Sequence, residues 1–159
     1  MTGIFESHAH YEDEAFDEDR DVLLKSLPEN GIKYVVDVGS SIDTCHKIIE
    51  LIPKWDYMYG ALGIHPEEIR TVTDEDMEWL RKEAAANGKI VAIGEIGLDY
   101  YWDKDNKAQQ KEFFERQLVL AKELKKPVIV HSREAALDTY EVIKASADRD
   151  NSGVIHCFS

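Results

Sequence analysis

Basic residues are in short supply: 19 Lys and Arg stand against 32 Asp and Glu, for a net charge of −13. That balance disfavours nonspecific coating of nucleic acid, which relies on Lys and Arg against phosphates. It leaves room for an enzyme that meets phosphates through metal ions. Cysteine is scarcer still. Cys45 and Cys157 are the only two, too few for a disulfide framework, and a reducing cytoplasm is the simplest setting. No apolar run approaches the roughly 20 residues that span a bilayer. No basic start followed by an apolar stretch marks a secretory signal. A Gly/Ser linker and low-complexity segments are missing too, so 159 residues read as a single domain, 1–159. Nucleotide-binding glycine patterns are absent: Gly94 and Gly97 follow an apolar run but lack the spacing. No G-x-S-x-G elbow offers a serine nucleophile.

What is there is alternation. Short runs rich in β-branched and aromatic residues lie at 3–5, 33–38, 57–62, 90–93, 128–130 and 154–155. Between them run stretches with helical spacing. One spans Asp17 to Leu27, and a second follows Asp43 and ends before Pro53. The third opens on Thr73 with an acidic first turn and ends at Asn87-Gly88. The fourth presents Phe113, Phe114, Gln117, Leu118, Ala121 and Leu124 on one face and closes at Pro127. The fifth covers Ala136 to Ala147, with Leu137, Tyr140 and Ile143 inward. Six strands and five helices in alternation predict an α/β fold, a parallel sheet covered by helices. The acidic runs Glu12-Asp13-Glu14 and Asp17-Glu18-Asp19 read as solvated faces, and Asp74-Glu75-Asp76 as a helix N-terminus.

The residues that end each strand carry the chemistry. His8 and His10 follow the first strand and His65 the third. Glu95 follows the fourth, His131 the fifth and His156 the sixth. The carboxyl ends of parallel strands share one face, where active sites of α/β barrels lie. Five of six histidines fall there; His46 sits on a helix. A lone histidine is ordinarily a satisfied core residue, but this placement favours metal ligands. His8 and His10, two residues apart in an extended segment, point to the same side. Imidazole suits Zn, Mn, Co and Ni, and a carboxylate such as Glu95 can bridge two ions. His65 competes with a plain turn in Gly-Ile-His-Pro. Arg133 is either a helix cap or a forked phosphate contact. Asp99, Tyr100, Tyr101 and Trp102 read as an exposed aromatic cluster, suited to base stacking or to loop packing. Cys157 reads as a small buried residue, and Cys45 and His46 as helix packing or surface.

The motifs ESHAHYED, ALGIHPEE, AIGEIGLDYYW, QLVLAKELKKPVIVHSREA and GVIHCFS together resemble the TatD family of metal-dependent hydrolases, deoxyribonucleases within the amidohydrolase-like superfamily of (β/α)8 TIM barrels. They follow the family's order along the whole chain. The resemblance implies a 3′–5′ exonuclease-like phosphodiesterase acting on DNA, at single-stranded or frayed ends, with two divalent ions (Zn, Mg, Mn, Ni or Co). It implies His8 and His10 on one ion, Glu95 bridging, and His131 and His156 on the second. Glu95 and His65 would be catalytic, and His65, Arg133 and Tyr100 would contact substrate. Glu6-Ser7 stands where the family usually has Asp-Thr or Asp-Ser. Family barrels run to about 250 residues, so the resemblance implies an incomplete barrel that lacks the last metal-binding aspartate. Two other expectations stand beside it. One is hydrolysis of a small amide, lactone or phosphate ester on the same metal scaffold; the other is an inactive piece.

Overall fold

A computed structural model describes residues 3–146 and 152–156. Six strands form one parallel sheet in chain order: β1 (Ile4–Ala9), β2 (Ile32–Val38), β3 (Met58–Leu62), β4 (Ile90–Asp99), β5 (Val128–Arg133) and β6 (Gly153–His156). Parallel neighbours need a crossover, and helices supply it. These are α1 (Arg20–Ser26), α2 (Ile42–Leu51), α3 (Asp74–Ala86), α4 (Lys107–Leu124) and α5 (Ala136–Ser146). The sheet curls: rings of His8 on β1 and His156 on β6, strands at its opposite edges, stack with centroids 3.8 Å apart. Among the described residues the fold is thus an incomplete barrel of six strands and five helices: the alternation implies the parallel sheet, and the resemblance the barrel.

The sheet has two apolar faces. Val35, Met58, Ile93 and Val130 join the helices in the main core, where Phe114 and Leu118 of α4 are buried. Val36, Val38, Ala61, Ala92 and Ile129 form a smaller cluster of their own. Alternation along β2 explains the division, since Val35 belongs to one cluster and Val36 and Val38 to the other. Burying a side chain such as Phe114 contributes about 2–3 kcal/mol.

Three local readings change. The first helix begins at Arg20, because the Arg20 guanidinium draws the preceding acidic segment around itself. It donates to Tyr11 O at 2.6 Å, Asp13 O at 2.7 Å and Asp17 Oδ1 at 2.6 Å. Helix α5 is turned relative to the expected phase. Leu137 and Tyr140 are exposed, while Thr139 and Val142 are buried. The hydroxyls of Thr139 and Ser132, 3.0 Å apart and buried, fix that orientation against β5. Glu12, read as solvated, is only 4% exposed. By contrast, Thr73 caps α3 in a reciprocal pairing with Asp76, as the acidic first turn predicts. Cys157 lies outside the described residues.

Two glutamines on α4 hold the loops that matter. Gln117 accepts from Ile64 N–H at 2.8 Å and donates to Ile64 O at 3.0 Å, next to His65. Gln110 accepts from Asp99 N–H at 2.9 Å and donates to Asp99 O and Asp103 O, each at 3.0 Å. Seven residues apart on one helical face, they imitate a peptide edge at the ends of β3 and β4. Gly97 is the other fixed point. Its φ is +141°, and a Cβ there would meet His131 O at 2.0 Å, so only glycine lets β4 approach β5 beside the site.

Candidate metal centre

His8, His131 and His156 lie within the C-terminal halves of their strands, Glu95 lies midway along β4, and His10 stands just past β1. The strands therefore carry the side chains directly, on backbone already bonded to its neighbours. Glu95, 4% exposed, is the centre. Its Oε2 lies 3.5 Å from His8 Nε2 and 4.0 Å from His10 Nε2. Its Oε1 lies 2.9 Å from His131 Nδ1 and 3.9 Å from His156 Nε2. Each oxygen of one carboxylate faces its own pair of imidazoles. His8 Nε2 and His10 Nε2 are 3.0 Å apart, and His8 Nδ1 is buried without a partner.

This donor set fits divalent ions. Among the described residues three clusters have ligand atoms all within 4.8 Å of one another: His8, His10 and Glu95; His65, Glu95 and His131; and His65, Glu67 and Asp99. The second contains His65 where the resemblance implies His156. His156 reaches Glu95 but is half-exposed at the rim.

Two carboxylates stand behind the histidines, and neither role was legible in the sequence. Asp99, fully buried, accepts His131 Nε2–H at 2.9 Å through Oδ2. That bond leaves Nδ1 of His131 turned to Glu95. Through Oδ1, Asp99 accepts the backbone N–H groups of Tyr101 and Trp102, each at 2.9 Å. Glu12 Oε1 lies 3.5 Å from His10 Nδ1. The spacing Glu95–Asp99 on one strand was the available signal for the first. The register pairing Gly97 with His131 brings both carboxylates of β4 to one imidazole.

The electrostatics follow from these contacts. Burial opposes charge on Glu95, but hydrogen bonds from His131 and His8 hold it well below the usual carboxylate range. Burial likewise opposes Asp99, while bonds from Trp102 N–H and His131 lower it. Burial works against a charged His131, but Glu95 and Asp99 on either side raise it. Glu12 raises His10. His65 goes the other way: burial, then the neighbouring His131, lower it to about 4. Its Nδ1 accepts Glu67 N–H at 3.3 Å, so a neutral His65 presents Nε2–H as a donor. Cys45 is a buried thiol pushed up to about 12 by burial, and His46 packs on Trp79.

Tyr100 departs from the exposed-cluster reading. It is 6% exposed, and its hydroxyl donates to Asp138 Oδ2 at 2.7 Å, where Lys111 also binds. Its ring packs in the core. Tyr101 and Trp102 are the exposed members. Arg133 lies over both of those rings. A cavity of about 340 Å³ opens beside His10, His65 and Glu95, and is also walled by Glu12, Glu67 and Glu68. Another cavity, of about 510 Å³, lies between α3 and α4, away from the histidines.

A parallel strand–helix barrel segment that converges histidines on one buried carboxylate at its strand C-termini is of the metal-site barrel class. Residues 5–159 match the model of the TatD-related DNase family, and the chain belongs to that family. It is 38% identical over 156 residues to the uncharacterized metal-dependent hydrolase YabD of Bacillus subtilis, covering 98% of this chain and 61% of that protein. It is 31% identical over 144 residues to the 3′-5′ ssDNA/RNA exonuclease TatD of Cronobacter sakazakii, covering 91% of this chain and 54% of that one. The crystal structure of YjjV, a TatD homolog from Escherichia coli, superposes with a TM-score of 0.90 at 29% identity, over 98% of this chain and 60% of that chain. The chain thus spans 54–61% of the length of these relatives. Among the described residues, no helix is long and apolar enough to cross a membrane.

Proposed function

We propose that the chain carries the binding centre of a cytoplasmic metal-dependent phosphodiesterase that shortens single-stranded or frayed DNA from its 3′ end. The observation that carries it is the split carriage of Glu95, one oxygen toward His8 and His10 and the other toward His131 and His156. His8, His10 and Glu95 would hold one divalent ion; Glu95, His131 and His156 would hold the second. Ions held there supply Lewis acidity, for activating water and for neutralising charge that develops on a phosphoryl group. The chain's own residues do the rest. Glu95 stays ionised and turns one oxygen toward His8 and His10 and the other toward His131 and His156. Asp99 and Glu12 fix which nitrogens of His131 and His10 face inward. His65 donates Nε2–H toward a phosphoryl oxygen, and Arg133 offers a forked contact to phosphate. The buried Tyr100 braces the loop under this rim rather than touching substrate.

The test is digestion of end-labelled single-stranded DNA by the protein with Mg²⁺ or Mn²⁺. Stepwise loss from the 3′ end, stopped by chelator, is the expected outcome. Intact DNA beside hydrolysis of a lactone or amide would select the second reading, a small-molecule hydrolase. The acidic cavity favours that reading: Glu12, Glu67 and Glu68 would repel a second phosphate.

Asp99→Asn tests the support shell. The amide retains an acceptor for the Tyr101 and Trp102 N–H groups but loses the charge behind His131. Affinity for the ion at the His131 side is expected to fall roughly 10–100-fold, read by competition with a chromogenic chelator. Unchanged affinity would remove Asp99 from the site.

A further inference from the structure

We propose that Tyr101, Trp102 and Arg133 form a nucleobase-stacking subsite for a single-stranded nucleic acid at the edge of the metal centre; the inference rests on the phosphodiesterase reading. Tyr101 is 45% exposed and Trp102 62%, large apolar surfaces left in water beside a candidate active site. Their rings meet edge to face, 4.6 Å between centroids at 88°. The Arg133 guanidinium lies 5.0 Å from the Tyr101 ring centre and 6.0 Å from that of Trp102.

The segment is held from several sides. Asp99 Oδ1 takes both ring-bearing residues' N–H groups, Gln110 holds Asp103 O, and Arg70 grips the Asp103 carboxylate with two nitrogens, at 2.9–3.3 Å. A loop fixed in this way presents its aromatic faces at low entropic cost to a ligand. It is also tied to the site itself, since the same Asp99 carboxylate binds His131.

The charge points to the ligand. Arg20, Arg70, Arg81 and Arg116 each have a carboxylate partner. Among the described residues Arg133 has none, in a chain whose net charge is −13. Its field nonetheless reaches Glu67, which neighbours His65. A cation without a carboxylate partner among the described residues, lying on two exposed rings and next to the proposed phosphate-handling centre, matches a base with its phosphate. Bases stack on aromatic faces with little regard to sequence, and Arg adds to the stack and pairs with phosphate. A small ester or lactone has no use for such a surface.

The experiment measures binding of a phosphorothioate single-stranded 12-mer, which resists hydrolysis, and of its abasic counterpart, to the full chain with Mg²⁺. Anisotropy of a labelled strand gives affinity. The base-bearing strand is expected to bind the protein at least tenfold more tightly than the abasic one. Trp102→Ala is expected to weaken it roughly 10–100-fold, with Trp102→Phe within a few-fold of the parent. Circular dichroism checks that these exposed substitutions leave the fold intact. Equal binding of the abasic strand, or a Trp102→Ala protein that binds as tightly as the parent, overturns the subsite. Hydrolysis of a model phosphodiester by the unmodified chain separates the two ideas. Turnover without strand binding sinks the subsite alone. Base-dependent binding without turnover keeps the subsite and sinks the phosphodiesterase reading. Neither binding nor turnover sinks both.

Discussion

On the proposed two-ion reading, replacing Glu95 by glutamine is expected to reduce bound metal to at most one ion per chain and to abolish the proposed hydrolysis. The argument is one of charge and geometry. Glu95 is the only described carboxylate that faces both histidine pairs, with His131 Nδ1 at 2.9 Å and His8 Nε2 at 3.5 Å on opposite oxygens. Glutamine keeps the length but removes the charge, and it turns one ligating oxygen into an N–H2 donor aimed at one of the pairs. An amide nitrogen is a donor only, with no lone pair free to ligate. Losing a ligand exceeds the roughly 10–100-fold typical of an outer contact, so at least a hundredfold loss of affinity is expected for one ion. The backbone has no reason to move, because Glu95 N–H still donates to Gly39 O at 2.8 Å. Metal content after dialysis, with calorimetric titration of the remainder, decides the matter. Two ions retained per chain of the Glu95→Gln variant would mean that Glu95 does not bridge.

Asp37→Asn is expected to raise thermal stability at pH 8 by several degrees, by a smaller amount at pH 5, and to change it little at pH 4. Asp37 sits on β2 and is fully buried. Its Oδ1 accepts Tyr11 N–H at 2.7 Å, and its Oδ2 has no hydrogen-bond partner. Burial first, and then the charge of Glu12, push it from 3.8 up to about 7. A carboxyl raised in the folded state binds its proton more tightly there than in the unfolded chain. Its favourable contribution is therefore complete below about pH 4 and is lost as pH rises through about 7. The difference between the two limits is about 4 kcal/mol at most, and each kcal/mol moves the melting temperature of a chain this size about 2–4 °C. Asparagine retains the acceptor for Tyr11 and carries no charge to bury, so it removes that loss. His65, lowered to about 4, acts in the opposite sense, losing stability as pH falls from 6.5. The informative quantity is thus the difference between variant and parent across pH 4 to 8. A difference that does not vary with pH would show that Asp37 is not the buried acid assumed.

Much of the architecture was legible because it depends on local chemistry. Apolar strands rich in Val and Ile alternate with capped helices, and that order already demands parallel pairing and crossovers. His8, His10, Glu95, His131 and His156 could be expected to meet because each follows an apolar run of the sequence, although β4 continues four residues past Glu95 to Asp99. Their meeting at two oxygens of one carboxylate was not legible, since it depends on how the sheet curls to bring β1 toward β6. The turned phase of α5 was hidden for a similar reason: Leu137 and Tyr140 are the apolar residues, yet a hydroxyl pair between Thr139 and Ser132 chose the buried face. Glu12 looked like part of a solvated acidic run and Asp99 like part of an exposed loop. Only the fold places one 3.5 Å from His10 and the other 2.9 Å from His131. The sequence by itself determined which residues carry donor atoms, and on which element each stands, because period and capping are local. The tertiary structure decided which donors are buried, which nitrogen each imidazole presents, and which rings stay exposed. Those depend on desolvation and on contacts between residues tens of positions apart, which no local pattern encodes.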